Sequence, residues 1–178
     1  IGLSEAGGDT IRRANDEYSI AALQSEYSLW EREIETEILP ICRELGIGLV
    51  PYSPLGRGFL TGTVKTLSQL PDDDFRHRDP RYNGENLDRN LAIVSAIDQV
   101  ANELSISCAQ VALAWLLSKG GDVVPIPGFK RRATLEDSIK SVSVTLSAKQ
   151  LDYLETAAPV GGTSGPRYGE AGMKMVRI

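Results

Sequence analysis

Histidine is nearly absent from this chain of 178 residues, which has only His77, and cysteine is limited to Cys42 and Cys108. Those two cysteines have no framework spacing and fall in helical patterns. They read as small core residues of a protein kept in a reducing, cytoplasmic compartment. No apolar run approaches the roughly eighteen residues that a bilayer-spanning helix needs. Nineteen basic residues against twenty-four acidic ones leave a net charge of −5, so no global nucleic-acid footprint exists. The longest basic run, Lys130-Arg131-Arg132, is too short for a polybasic membrane anchor. Neither a G-x-G-x-x-G fingerprint after a strand nor a G-x-x-x-x-G-K-[ST] loop occurs, which argues against a Rossmann site and a P-loop. Internal repeats and low-complexity segments are also lacking. What remains is an ordinary globular composition, 42% hydrophobic and 24% charged, sized for one domain over residues 1–178.

Short apolar runs alternate with longer helical patterns, the signature of βαβ units around a parallel sheet. Ile1-Gly2-Leu3-Ser4 reads as the end of a buried strand. Because Ile1 is not an initiator Met, the chain is read as cut at its N-terminus from something longer, with no signal or targeting segment before it. Asp9 is the expected N-cap of a short helix through Ala14. A second strand covers Ser19 to Gln24, and a helix is expected from Ile34 to Leu45, stopped by Gly46. Ile47 to Tyr52 is the third strand and Val123 to Pro127 the fourth. Between them lie an aperiodic stretch at 61–85, a helix over Leu87–Leu104, and a second helix opened by a Ser107–Gln110 capping box. Thr134 is read as the cap of a helix through Val142, and Ser147 with Gln150 opens a last helix through Ala157. From Gly161 onward the pattern is that of a loop. Four such units in series imply a doubly wound sheet or half a barrel.

In parallel α/β folds ligands sit at the carboxyl ends of the strands. The residues there are Ser4-Glu5, Gln24 to Tyr27, Tyr52 to Gly58, and Pro127 to Arg132. This set is polar, aromatic and basic, as a nucleotide-phosphate pocket requires. Gly56 and Gly58 let backbone N–H groups approach a phosphate, Tyr52 offers a flat face for a ring, and Lys130 and Arg132 offer cations.

The segments Leu3-Ser4-Glu5-Ala6, Leu23-Gln24-Ser25-Glu26-Tyr27-Ser28-Leu29, Val50-Pro51-Tyr52-Ser53-Pro54-Leu55-Gly56-Arg57-Gly58 and Val124-Pro125-Ile126-Pro127-Gly128 resemble the last four strands of an aldo-keto reductase. Asp79-Pro80-Arg81-Tyr82 and Gly84-Glu85-Asn86 resemble the branch of auxin-induced and perakine-reductase type. The resemblance covers essentially the whole chain. It implies the C-terminal half of a (β/α)8 TIM barrel, with four parallel strands, flanking helices and NADP(H) as cofactor. Ser4, Glu5 and Gln24 would lie beside the nicotinamide carboxamide, and Tyr52 would stack on the ring. Ser53, Pro54, Leu55, Gly56, Arg57, Gly58, Phe59, Leu60, Thr61 and Gly62 would wrap the pyrophosphate. Pro127, Gly128, Phe129, Lys130, Arg132, Asp137 and Ser138 would hold the adenosine phosphate and adenine.

Two departures from the family pattern stand out. Phe129 takes the place of a small hydroxyl residue, and Asp137-Ser138 stands where Glu-Asn is usual. The family's catalytic Asp, Tyr, Lys and His belong to four earlier strands, so no catalytic residue is expected here. The implied parent reduces small-molecule aldehydes or ketones. The implied partner is an N-terminal half-barrel, or a second copy of the chain across the open sheet edge. The alternative is a non-catalytic nucleotide-binding half-barrel, or a regulatory subunit of the potassium-channel β type. His77 and Asp72-Asp73-Asp74 are expected to be solvated loop residues, and no metal site is expected. Tyr27, Trp30 and Trp115 are expected in the core or the pocket wall.

Overall fold

The computed structural model describes residues 1–177. Three strands, β1 (Gly2–Ser4), β2 (Ala22–Glu26) and β3 (Gly48–Tyr52), form one parallel sheet in chain order. Leu3 pairs with Leu23 and Leu23 with Leu49, and the last two are wholly buried. Helices α1 (Gly8–Glu17) and α2 (Ile38–Leu45) connect the strands, and α3 (Glu85–Leu104) and α4 (Cys108–Leu117) follow β3. Then come α5 (Arg132–Ile139), α6 (Ala148–Ala157) and the short α7 (Glu170–Met173).

The expected fourth strand is not a regular one. Residues 122–126 do run alongside β3: Leu49 N–H donates to Asp122 O at 2.7 Å, Val124 N–H to Leu49 O at 2.9 Å, and Ile126 N–H to Pro51 O at 3.0 Å. Pro51 has no N–H to return, so the ladder shrinks to a single parallel bridge between Leu49 and Val123. The sheet is therefore three strands with a fourth segment laid against its edge.

Other departures also have local causes. Helix α1 begins at Gly8 with no side-chain cap, so Asp9 lies inside its first turn. The helix expected from Ile34 splits into a 3-10 turn at Glu33–Glu35 and α2, because Pro40 is accepted only in the first turn of a helix. Gly46 ends α2 at φ 69°, as its sequence position suggested. Helix α5 starts at Arg132 rather than at Thr134 and passes at Lys140 into a 3-10 turn, short of Val142 as a helical end. The stretch at 61–85 folds into 3-10 turns at Leu67–Gln69, Phe75–Arg78 and Pro80–Tyr82, the last two capped by Asp74 and Asp79.

The core is aromatic at two points. Trp30 stacks on Phe59 at 4.5 Å between centroids, and Tyr82 meets both edge-on. Trp115 meets Tyr27 edge-on at 5.5 Å. Trp30, Trp115 and Tyr27 are thus packing residues, as expected. Among the described residues no single helix is long and apolar enough to cross a membrane. The capping box at α6 is complete, with Ser147 and Gln150 each satisfying the other's backbone N–H. Ser147→Ala is expected to lower the unfolding free energy by about 1 kcal/mol in urea denaturation. An unchanged midpoint would show that α6 is held by packing alone.

Candidate functional site

Beyond the carboxyl end of β3 the backbone turns through conformations that side chains rarely adopt. Ser53 has φ 48° and Arg57 φ 56°, with Gly56 at 55° and Gly58 at 92° between and after them. Such strain concentrates where a loop is shaped for a ligand. A Cβ on Gly56 would lie 2.9 Å from the buried Trp30 ring, so glycine is required there twice over. This loop forms one wall of a cleft of about 700 Å³. The other wall is Ile126-Pro127-Gly128 with Arg131, Thr134 and Asp137, and Ser107 lies between them.

Ten of the residues singled out in the sequence line this cleft: Tyr52, Ser53, Pro54, Leu55, Arg57, Gly58, Thr61, Pro127, Gly128 and Asp137. The others fall elsewhere. The side chains of Phe59 and Leu60 are fully buried in the core, so only their backbone could meet a ligand. Gly56 is buried against Trp30, and Gly62 closes the turn at φ 71° beside Val94 and Cys108. Ser4 and Gln24 end up exposed on the sheet. Phe129 and Lys130 are exposed and do not line the cleft, although their chain neighbours Gly128 and Arg131 do. Arg132 is the first residue of α5; its side chain is exposed to solvent and pairs with Glu136 one turn further along the helix. Of the basic run Lys130-Arg131-Arg132, Arg131 is the residue that lines the cleft, although it was not among the residues expected to hold the phosphate. Ser138 is buried, and its hydroxyl has no protein partner. Asp137 accepts from Ser107 Oγ at 2.6 Å and Gln110 Nε2 at 2.5 Å, so the Gln110 side chain is diverted from the expected capping box. Ile126 of the Pro-Ile-Pro-Gly turn and Thr134, expected only as a helix cap, also line the cleft, as do Thr63 and Ala109, which no sequence motif marked.

Under the floor of the cleft lies a buried ionic cluster. Glu26, at the end of β2, is wholly buried and faces three guanidinium groups: Arg57 at 3.5 Å, Arg167 at 3.7 Å and Arg81 at 4.0 Å. Arg57 also pairs with Asp79, and Arg81 with Glu31 at 2.5 Å. Glu5 accepts from Ser25 Oγ, from the Glu26 N–H and from Arg167 Nη2, the last at 2.5 Å. Burial alone would raise the pKa of Glu5, but Arg167 and the Glu26 N–H outweigh it and hold the group lower than usual. For Glu26 burial wins over the three arginines, and its pKa is pushed up to about 7. The native state then holds a proton on Glu26 that the unfolded chain releases above its ordinary value of 4.5. The stability this confers is complete below that value and is lost as pH rises through about 7. Unfolding free energy should therefore fall between pH 5 and 8, and Glu26→Gln should flatten the slope. A slope of the same size in the Gln variant would place its origin in another group.

One member of this cluster, Arg167, comes from the segment after α6, which the sequence read as loop. Thr163 Oγ1 donates to Trp30 O at 2.6 Å, and Ser164 is held by Asn86 and Asn90 of α3. The chain then passes over the strand ends, where Arg167 meets Glu5 and the Tyr168 hydroxyl lies 2.8 Å from that of Tyr52. Burial and this contact push the Tyr52 pKa well above the usual tyrosine range, so its hydroxyl stays protonated. His77, expected as a solvated loop residue, is half-buried in the 3-10 turn Phe75–Arg78 with Nε2 2.9 Å from Pro71 O, and Asp74, which caps that turn, pairs with Arg76. Among the described residues no group of His, Cys, Asp and Glu is arranged to hold a metal ion.

A parallel sheet with a strained loop and a cleft beyond the carboxyl ends of its strands is an α/β architecture, the class in which sites lie at that edge. The chain belongs to the aldo/keto reductase family, whose sequence model matches residues 1–159. It is 49% identical over 168 residues to a Glycine max protein named "Probable aldo-keto reductase 1", covering 94% of this chain and 48% of that protein. In fold it is similar to the glycerol dehydrogenase of Gluconobacter oxydans, with a TM-score of 0.81 and 24% identity over 88% of this chain and 47% of the other. A thermostable aldo-keto reductase crystallised with the inhibitor epalrestat matches over the same shares, at a TM-score of 0.66 and 24% identity. The chain thus spans about half the length of the relatives it matches.

Proposed function

We propose that this chain is the cofactor-binding half of an NADP(H)-dependent aldo-keto reductase that reduces aldehydes or ketones to alcohols. The observation that carries the reading is the cleft: the Tyr52–Thr61 loop and the 126–137 segment, far apart in sequence, enclose a space of a size suited to a dinucleotide. The residues present fit such a group. Tyr52 would carry the nicotinamide ring, Ser53 to Gly58 would hold the pyrophosphate, and Lys130 and Arg131 would hold the 2′-phosphate. Bound NADPH would supply the hydride. This chain would orient it through Tyr52 and Glu5, and would exclude water by covering the strand ends with the segment around Tyr168. The carbonyl oxygen would take its proton from residues outside this chain.

The free edge of β1 offers backbone groups to a further strand. We assign that edge to an N-terminal half-barrel, or in its absence to a second copy of the chain. Both cysteines are unpaired, which suits a reducing, cytoplasmic setting.

The test is a titration with NADPH and NADH. Replacing Lys130 and Arg131 together by Ala should weaken NADPH at least tenfold more than NADH, since each charge-assisted phosphate contact contributes about 1.5–3 kcal/mol. Arg132→Ala alone should change little, its guanidinium being turned to Glu136. Equal losses for both nucleotides would assign these cations another task.

A further inference from the structure

We infer that Tyr168 is a positioning residue: it reaches over from the segment after α6 and fixes the hydroxyl and ring plane of Tyr52, the ring proposed to carry the nicotinamide. The inference rests on the cofactor reading above. Tyr52 borders both the long cleft and a recess of about 260 Å³ that it shares with Glu5, Tyr168 and Met175. A ring with open space beside it is held at its base by the strand, but its tilt is set at its far end. There the Tyr168 hydroxyl lies 2.8 Å away.

Tyr168 is itself held on several sides. Its hydroxyl donates to Glu26 Oε2 at 3.3 Å. Its ring lies 4.9 Å from the Arg57 guanidinium and 5.3 Å from that of Arg167. Arg57 Nη1 also donates to Arg167 O at 3.3 Å, and Arg81 Nε to Gly165 O at 3.3 Å. Gly165 has φ 89°, and a Cβ there would lie 2.8 Å from Asn86 Nδ2, so the approach of this segment to α3 requires glycine. The rigidity of α3 is thereby passed to the one ring that the cleft leaves free to tilt. The two tyrosine hydroxyls and the Glu26 carboxyl form a continuous hydrogen-bonded row from the recess to the buried cluster. Facing Glu26 are Arg57, Arg81 and Arg167 together with Glu31, while Glu5 bonds its N–H. A change of charge at Glu26 is therefore transmitted to Tyr52 through Tyr168.

The experiment uses the whole chain and two probes, NADPH and adenosine 2′,5′-bisphosphate, which lacks the nicotinamide. Tyr168→Phe keeps the ring and the cation contacts and removes only the hydroxyl. It should weaken NADPH about fivefold or more and leave the bisphosphate unchanged, with Tyr168→Ala showing a larger loss on NADPH. Equal losses on both probes would mean general damage to the fold, and no loss on either would mean that Tyr168 positions nothing. Both results overturn the inference. A second measurement needs no ligand. The ring-carbon resonance of Tyr52 in 13C-tyrosine NMR, assigned by Tyr52→Phe, should shift as Glu26 titrates and stop doing so in Tyr168→Phe and Glu26→Gln. If the unaltered chain binds neither probe, the cofactor reading fails. The coupling of Tyr168 to Tyr52 is then decided by this resonance alone, and an identical titration in Tyr168→Phe overturns it.

Discussion

Arg81→Ala should destabilise the chain by about 3–5 kcal/mol, among the largest effects any single substitution here can have. The Arg81 side chain is 6% exposed and its partner Glu31 3%, and they meet at 2.5 Å. Removing the guanidinium leaves the Glu31 carboxylate buried, with Arg177 at 3.9 Å the remaining cation that faces it among the described residues. It also removes one of the three cations around Glu26, the cation 5.5 Å from the Trp30 ring, and the donor to Gly165 O. Most of the loss is the penalty of the stranded charge rather than the net worth of the pair. The double variant Arg81→Met with Glu31→Leu should therefore recover much of the stability that Arg81→Ala loses. The exposed pair between Arg12 and Glu44 is the contrast, and its removal should leave the denaturation midpoint where it was. Urea unfolding followed by circular dichroism measures all of these. A loss under 1 kcal/mol for Arg81→Ala, or a double variant worse than the single one, would show that the cluster is hydrated rather than dry.

The second large effect concerns turnover. The purified chain should show no measurable NADPH-dependent reduction of simple aldehydes, and supplying the N-terminal half-barrel, joined or separate, should restore it. Carbonyl reduction needs a proton donor about 3 Å from the carbonyl oxygen. Tyr27, Tyr52 and Tyr82 are each buried enough for their pKa to be pushed above the usual tyrosine range, so none releases a proton readily at neutral pH. Tyr27 is turned into the core against Glu35, and Tyr82 donates to Gly56 O. His77 lies in the 3-10 turn Phe75–Arg78 with its ring against Pro71 O. In the restored enzyme Tyr52→Ala should lower turnover by letting the nicotinamide drift from the carbonyl. Robust turnover by the chain alone would sink the half-enzyme reading and place the proton donor among these tyrosines.

The alternation of apolar runs, the Tyr-Ser-Pro-Leu-Gly-Arg-Gly loop and the Pro-Ile-Pro-Gly turn were legible in the sequence because strand burial, glycine turns and proline stops act on neighbouring residues. On that basis a parallel α/β fold, the order of the strands and one wall of the cleft could be read directly, while half a barrel rather than a doubly wound sheet came only from the family resemblance. Two of the differences from the expected elements also have a local cause: Pro40 marks where α2 must begin, and Pro51 marks the carbonyl that Val124 keeps without a return bond. What only the tertiary structure decided depends on contacts between distant residues. Arg131 rather than Arg132 faces the cleft because of where α5 starts its first turn. Asp137 is tied down by Ser107 and Gln110, some thirty positions away. Arg167 and Tyr168 come from a glycine-rich segment with no periodicity of its own, and they are ordered by Glu5, Glu26 and Tyr52, which precede them by more than a hundred positions. Charges buried in a common low-dielectric space select their partners by proximity in the folded chain, and no spacing along the sequence encodes that selection.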